Sequence, residues 1–281
     1  MAVSVVLNTY NRARLLSLVL AAWTRQTERD FEIVVADDGS TDGTEAVIAE
    51  ARRKVFFPLT HVRTEREGYW RTRILNEGIK ACRHDVVLFT DADCLPRADL
   101  VAAHLRHFDP RRLSIGGCIR LGERDSRGLA LEEARSGAYE RHLDGRRRVR
   151  LVAQHWKNRW QILVRRRRRP HNRGVNMAVS RRALLEVNGF DEEMRGWGNE
   201  DGELRERLKR IGVFPKSVSD RAIVLHLWHP PDPTRFERRN AAYARRGEVP
   251  ARCERGILKP GETEPAPPPV VSSSEEVGAK P

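Results

Sequence analysis

Val86-Val-Leu-Phe-Thr90-Asp-Ala-Asp93 passes without a break from a run of strand-forming residues to two carboxylates one residue apart. A short run, apolar throughout, predicts a strand buried on both faces. The same design occurs twice upstream. Val3-Ser-Val-Val-Leu7 leads into Asn8-Thr9, and Phe31 to Ala36 leads into the turn Asp37-Asp-Gly-Ser40. Between them, after Asn11, the residues Leu15, Leu16, Val19, Leu20 and Trp23 share one helical face, and further helices are predicted over about 44–53 and 70–82, with a short apolar run around 55–62. Strands alternating with helices predict an α/β fold on a parallel sheet with helices on both faces. Ligands in such sheets sit at the carboxyl ends of the strands, so three polar clusters would meet on one edge. A turn or a helix cap explains any one of them; three in succession point to a site.

Downstream the pattern loosens. Leu113 to Leu121 reads as a strand with a weak point at Gly116-Gly117, and the charge-rich residues 122–170 read equally as helices or as a mobile loop. Gly174 to Val179 predicts a strand, followed by a helix from Arg181. Asp201 to Ile211 spaces Leu204, Leu208 and Ile211 for one apolar helix face, and Ala222 to Leu227 reads as a last strand. From Lys259 onward, 6 of 23 residues are proline, beside Ser272-Ser-Ser274, a composition expected to be disordered.

At 281 residues and 40% hydrophobic, the chain can bury a core, which excludes wholesale disorder. Its net charge of +13 asks for an acidic partner. The charge is local: residues 141–182 hold 15 Lys/Arg against Asp144 alone, and the remaining 239 residues sum to −1. One basic stretch, with few aromatics elsewhere to stack bases, argues against a nucleic-acid coat. Cys82, Cys94, Cys118 and Cys253 are far apart and form no C-x-x-C pair, as expected for reduced thiols in the cytoplasm. Met1 to Leu7 lacks the basic region of a signal peptide, and the apolar window Leu15–Trp23 is short of the ~20 residues that cross a bilayer. A soluble protein, or one at most peripheral on the inner face of the membrane, is the expectation.

Paired carboxylates at a strand end suit a divalent cation that also binds phosphate; Mg²⁺ and Mn²⁺ favour such oxygen ligands. Asp-Ala-Asp alone is common. A second signal is Ala222-Ile-Val-Leu-His226-Leu-Trp-His229, where either histidine can close the metal shell or neither has a ligand role. The third is Gly196-Trp-Gly-Asn-Glu-Asp-Gly-Glu-Leu204. Glu200 and Asp201 open a helix, where the dipole favours the ionised form a general base needs; simple capping is the plainer reading. Trp197, between glycines, offers an apolar face that can stack on a sugar ring.

Val3 to Asn11, Ala36-Asp-Asp-Gly-Ser40, Thr90-Asp-Ala-Asp93, Val187-Asn-Gly-Phe-Asp191, Gly196 to Asp201 and His226-Leu-Trp-His-Pro230 together resemble a family 2 glycosyltransferase of GT-A fold. The later part is similar to the galactosyltransferase and chondroitin-polymerase group. The motifs run in the expected order from about residue 3 to residue 230. The resemblance implies a single GT-A domain, a mixed sheet flanked by helices, with a nucleotide-sugar-binding half over 1–110 and an acceptor and catalytic-base half over 111–240 carrying the basic insert 141–170. Residues 241–281 would be a C-terminal extension, disordered from about 259. It implies inverting transfer of a sugar from a nucleotide diphosphate donor, most often UDP, to an acceptor hydroxyl, with Mn²⁺ or Mg²⁺. By the same resemblance Asp38 would bond the nucleotide base, with Asn8, Thr9 and Asp37 lining the pocket, and Asp91 would contact the ribose. Asp93 would bind the metal, with His226, directly at the strand end, the preferred partner over His229. Asp201 would be the catalytic base, Glu200 would hold the acceptor, and Arg71 of Glu67-Gly-Tyr-Trp-Arg71 would touch the donor. Gly198-Asn199 stands where relatives often carry Gly-Gly, and Gly202 interrupts an acidic run that is fuller in some of them; both bear on acceptor choice.

The resulting expectation is an enzyme that builds a cell-envelope polysaccharide or lipopolysaccharide on a saccharide or lipid-linked acceptor. The alternatives are a basic nucleic-acid-binding protein working through Arg146 to Arg169 and a non-catalytic scaffold of glycosyltransferase type. In the first reading the basic insert docks the protein on anionic lipid or a phosphorylated acceptor.

Overall fold

The computed structural model describes residues 1–164, 170, 174–231, 240 and 249–262. Elements β1 (Val3–Thr9), α1 (Ala13–Trp23), β2 (Phe31–Asp37), α2 (Thr44–Arg52), β3 (Leu59–Arg63), α3 (Arg71–Ala81) and β4 (Val86–Asp91) alternate as the apolar pattern predicts. Val5, Leu7, Ile33, Val35 and Leu88 join one core with Leu16, Val19, Leu20 and Trp23 of α1. Val6, Val34, Val87 and Phe89 face the other way, onto Ile74, Leu75 and Ile79 of α3. Side chains alternate along a strand, so burial on both faces explains the mostly apolar runs, and the two polar residues inside them, Ser4 and Glu32, are buried and bonded to each other at 2.7 Å.

The chain continues through β5 (Cys94–Pro96), α4 (Leu100–Leu105), β6 (Arg112–Ile115), β7 (Gly117–Arg120), α5 (Glu123–Arg127), α6 (Leu131–Ser136), a short 3₁₀ helix, α7 (Gly145–Leu163), β8 (Met177–Ser180), α8 (Arg181–Glu186), α9 (Glu200–Arg210), β9 (Phe214–Ser217) and β10 (Ile223–His226). The large sheet has the order β3-β2-β1-β4-β8-β6-β9, and β5-β10-β7 form a small one. Strands β1 to β4 are parallel, and β8 runs antiparallel to both β4 and β6. The sheet is therefore mixed, with helices on both faces. Register places Thr9 opposite Asp37 and Asn8 opposite Asp91, so the three polar clusters do meet on one edge.

Leu113 to Leu121 does not form one strand. The chain divides at Gly116-Gly117 because the backbone changes partners there: the Gly116 amide donates to Asn176 O at 3.0 Å and the Gly117 amide to Ala222 O at 2.7 Å. Asn176 pins the junction. Its Nδ2 donates to the carbonyls of Gly117 and Ala222, both at 2.9 Å, and its Oδ1 accepts from His104 Nε2 at 2.8 Å. Burial pushes the His104 pKa down to about 4, so the ring is neutral and its Nδ1 accepts the Ser114 hydroxyl at 2.9 Å.

The charge-rich stretch resolves into α5, α6 and α7. Asp144, the lone acid of the basic segment, caps α7 by accepting from the Arg147 amide at 2.8 Å. Arg165 to Arg169 lie outside the described residues. Toward the C-terminus, Cys253 and Ile257 are buried against the domain. Asn188, from the Val187-to-Asp191 motif, donates to the carbonyls of Cys253 and Leu258 at 2.9 Å each. Lys259 pairs with Glu192 at 2.6 Å, and the Glu262 amide donates to Lys259 O, so the order extends past the residue where disorder was expected to begin. The proline-rich remainder of that tail, from 263, lies outside the described residues.

Asn176→Ala removes both amide donations to these carbonyls and leaves the buried His104 N–H without its acceptor at the junction of the two sheets. Leaving buried groups unpaired makes a loss of about 3 kcal/mol the expected outcome, read as a lower denaturation midpoint at unchanged slope.

Candidate active site

At the end of β2, Asp37 Oδ1 accepts from the Ser40 amide at 2.9 Å and Oδ2 lies 3.1 Å from His61 Nε2. Burial works to raise the Asp37 pKa, and the His61 and Ser40 bonds outweigh it, holding the carboxyl below its ordinary value. Asp38 behaves oppositely: burial lifts it to about 6 although Arg66 Nη1 stands 2.5 Å away. The Arg66 guanidinium also lies over the Tyr10 ring at 3.4 Å. Gly39 turns the chain between them at φ +75°, where a Cβ would meet the Arg66 backbone nitrogen at 2.8 Å. Beside this pocket Asn8 Oδ1 and Thr9 Oγ1 are buried without a hydrogen-bond partner among the described residues. Buried acceptors of that kind mark a place for something that donates to them.

Asp91 ends β4 and meets Arg71, the first residue of α3. Arg71 Nη2 donates to Asp91 Oδ1 at 2.7 Å, and Nη1 donates to Glu200 Oε1 at 3.0 Å while lying 3.6 Å from Asp201 Oδ1. One guanidinium thus joins the carboxyl end of β4 to the start of α9. Its terminal nitrogens are engaged by protein carboxylates. Burial acts to lower the Arg71 pKa, and the three carboxylates raise it well above its ordinary value.

Asp201 corrects the expectation of a helix-stabilised carboxylate. Burial first, and Glu200 second, raise its pKa to about 7 against the pull of Arg71 and of the Gly174 amide, which donates to Oδ2 at 2.6 Å. Desolvation and a like charge outweigh the helix terminus. Asn199 before it adopts φ +74°, and its side chain makes no capping bond. The loop leading there has Gly196 at φ +89° and Gly198 at φ +94°, and Asn240 Nδ2 donates to both carbonyls, at 3.0 and 2.9 Å. Trp197 between them is exposed.

Asp93 lies one turn past β4, where the small sheet delivers the histidines. Cys94 of β5 pairs with His226 of β10, and the Leu227 amide donates to Asp93 O at 2.7 Å. This register sets His226 Nε2 3.5 Å from Asp93 Oδ1 and His229 Nε2 3.0 Å from Oδ2, with one ligand atom from each residue inside 4.8 Å of the others. Both histidines reach Asp93. His229 Nδ1 donates to Pro230 O at 2.7 Å and has Arg12 Nη2 at 3.1 Å; the carbonyl bond leaves Nε2 to face the aspartate. Burial would raise the Asp93 pKa, but His229 and His226 hold it at about 2. An ionised carboxylate with two imidazoles is a donor set that a divalent transition-metal ion accepts.

The model of the family described as Glycosyl transferase family 2 matches residues 4–173. The chain belongs to glycosyl transferase family 2. A second model, the N-terminal domain of galactosyltransferase, matches residues 157–230 of this family 2 protein. Chondroitin synthase of Escherichia coli is 27% identical over 229 residues, which are 76% of this chain and 33% of that protein; the chain thus spans about a third of that relative's length. Among solved structures, mannosyltransferase PcManGT from Pyrobaculum calidifontis, in complex with GDP-Man and Mn²⁺, aligns with a TM-score of 0.60 at 22% identity over 88% of this chain and 65% of its own. S. aureus TarS 1–349 in complex with UDP-GlcNAc aligns with a TM-score of 0.56 at 18% identity, over 84% and 61%. The fold is GT-A.

Sequence reasoning passed over Gly174, Arg66, Tyr10, His61 and Arg12. Each acts through a neighbour distant in the chain, so no local spacing announces it. Gly174 is the tightest: a Cβ there would lie 2.5 Å from Asp201 Oδ1 and 3.0 Å from Arg71 Nη1. Gly174→Ala is expected to fold with a near-parental melting temperature while displacing Asp201, lowering sugar-transfer turnover roughly 10²-fold in steady-state kinetics.

Proposed function

We propose that this chain is a metal-dependent inverting glycosyltransferase that moves a sugar from a nucleotide diphosphate sugar, a UDP-sugar, to a hydroxyl of a saccharide or lipid-linked acceptor in polysaccharide or lipopolysaccharide synthesis. The observation that carries this reading is the Arg71 bridge, which holds Asp91, Glu200 and Asp201 in one cluster two residues from Asp93. Family membership, the chondroitin synthase relative and the nucleotide-sugar complexes of the two GT-A neighbours support it.

In this reading Asp38 bonds the nucleotide base, with Asn8, Thr9 and Asp37 lining the pocket, and Asp91 takes the ribose. Asp93, His226 and His229 hold a divalent cation, and their two nitrogen donors favour Mn²⁺ over the oxygen-seeking Mg²⁺. The bound ion would supply a Lewis acid that offsets charge on the departing diphosphate. Trp197 stacks on the acceptor ring and Glu200 holds an acceptor hydroxyl. Asp201 removes the proton from the attacking hydroxyl as its oxygen bonds the anomeric carbon on the face opposite the leaving diphosphate, which inverts that centre. Arg71 keeps the two acids of α9 in place against the donor edge. Among the described residues no helix is long and apolar enough to cross a membrane, and the enzyme would work in the cytoplasm with peripheral contact to the inner leaflet through the Arg146–Arg169 insert.

Calorimetry and transfer assays separate the roles. Asp93→Ala is expected to weaken Mn²⁺-dependent UDP binding by roughly 10²-fold, whereas Asp201→Asn should abolish transfer at unchanged UDP affinity. Failure of the protein with Mn²⁺ to bind or hydrolyse any nucleotide sugar would overturn the reading. The pH dependence follows from Asp201, whose proton must be gone before it acts. Below its raised value of about 7, turnover at saturating donor should fall about tenfold per pH unit. The native carboxyl binds its proton more tightly than the unfolded chain does, so ionising it between 3.8 and about 7 destabilises the fold. Asp201→Asn, with nothing to ionise, should therefore gain melting temperature relative to the parent as pH rises through that interval.

A further inference from the structure

Helix α7 turns the usual pattern of a surface helix inside out. The side chains it buries against the domain are Leu151, Asn158 and Gln161, two of them polar, and Asn158 Nδ2 donates to Ser217 Oγ of β9. Five of its large apolar residues point outward: Val149 is 70% exposed, Val152 45%, Trp156 60%, Trp160 52% and Leu163 80%. At ~100° per residue these five fall within roughly 80° of arc, a single stripe along the helix. The arc opposite holds the buried set. An exposed apolar stripe of this length calls for a covering surface.

The charges beside the stripe say what covers it. Helix α7 holds Arg146, Arg147, Arg148, Arg150, Lys157 and Arg159 and no acidic residue. On the same helical wheel Arg146, Arg150 and Lys157 flank one side of the stripe and Arg148 and Arg159 the other. The Arg159 guanidinium lies 4.9 Å from the Trp156 ring centre, which keeps a cation at the level of the indole. Between the C-terminal half of α7 and β9 a groove of about 750 Å³ adds Lys216 and Arg221 beside Trp156, Trp160 and Leu163. Its two acids each lie beside an arginine, Asp220 by Arg221 at 3.4 Å and Asp109 by Arg112 at 3.7 Å. Indoles at the depth of lipid carbonyls, cations at the depth of lipid phosphates and no acid on the helix are the marks of a helix lying in an anionic interface.

We infer that α7 is an interfacial docking helix that seats this protein on an anionic bilayer, with Trp156, Trp160 and Leu163 inserted and the flanking arginines on lipid phosphates. The inference deepens the membrane contact in the function proposed above by moving it from a run of charge to an apolar stripe with charged margins. It also orients the enzyme. The other flank of α7 lines a trough with Arg120, Val175 and Asn176, next to Gly174, whose amide holds Asp201. A docked molecule would therefore open its candidate base toward an acceptor carried at the membrane surface.

Flotation of the full chain with phosphatidylcholine vesicles, with and without phosphatidylglycerol, tests this directly. Binding is expected only with the anionic lipid, weakening as salt is raised, with a blue shift in tryptophan emission. Trp156→Ser combined with Trp160→Ser should lower partitioning roughly tenfold or more, and Arg146→Ser with Lys157→Ser should lower it and flatten its salt dependence. Both variants should keep the parental melting temperature and Mn²⁺-dependent donor hydrolysis in solution, so loss of docking is separable from loss of the enzyme reading. No binding to anionic vesicles, or binding unchanged by the tryptophan replacements, would overturn the inference. So would a dimer in light scattering that those replacements dissociate, since the stripe would then belong to a second copy.

Discussion

Three carboxylates share one guanidinium at the heart of this structure. Arg71 reaches Asp91, Glu200 and Asp201 from the first turn of α3, and the packing around it leaves little water to screen them. Like charges held this closely in low dielectric cannot all stay ionised at ordinary cost. The geometry resolves the conflict by spreading Arg71 over all three and by letting Asp201 keep a proton up to about 7. The same bridge ties the start of α3, the end of β4 and the start of α9, elements far apart in the chain. Everything else in the site is arranged about it.

The smaller sheet serves the opposite side of that centre. It exists because the chain leaves the large sheet at Gly116-Gly117, where the Asn176 side chain at Gly116 and the Ser219 carbonyl at Gly117 come too close for a Cβ. That departure gives β10 a place beside β5, and the β5–β10 register then sets two imidazoles against Asp93. Asn176 closes the junction by pairing polar groups that neither sheet satisfies. The metal-type donor set thus depends on a hydrogen-bond change that joins Gly116-Gly117 and Asn176 to Ala222, segments far apart in the chain that only folding brings together.

The parallel strands, their order of helices and the polar residues at their carboxyl ends were legible, because a strand buried on both faces is mostly apolar and a polar cluster marks where it emerges. Asn8, Asp37 and Asp91 stand where that rule puts them. Other features were not. The bridge that Arg71 makes from Asp91 of β4 to Glu200 and Asp201 of α9 had no local spacing to announce it. Asp201 read as a carboxylate favoured by its helix, and burial beside Glu200 outweighs the dipole. The basic insert read as charge alone; only the helix's orientation against β9 revealed that its apolar residues face outward.

Sequence by itself determined the alternation of buried strands and helices, the family motifs and their order, and the residue types gathered at the strand ends, because these follow from periodicity and local chemistry along the chain. Tertiary structure alone decided that burial raises the Asp91 and Asp201 carboxyls, that both His226 and His229 face Asp93, that Gly174 lies tight against Asp201, and which face of α7 meets the outside. Those outcomes depend on burial and on distances between residues remote in sequence. A chain read one residue at a time carries neither quantity.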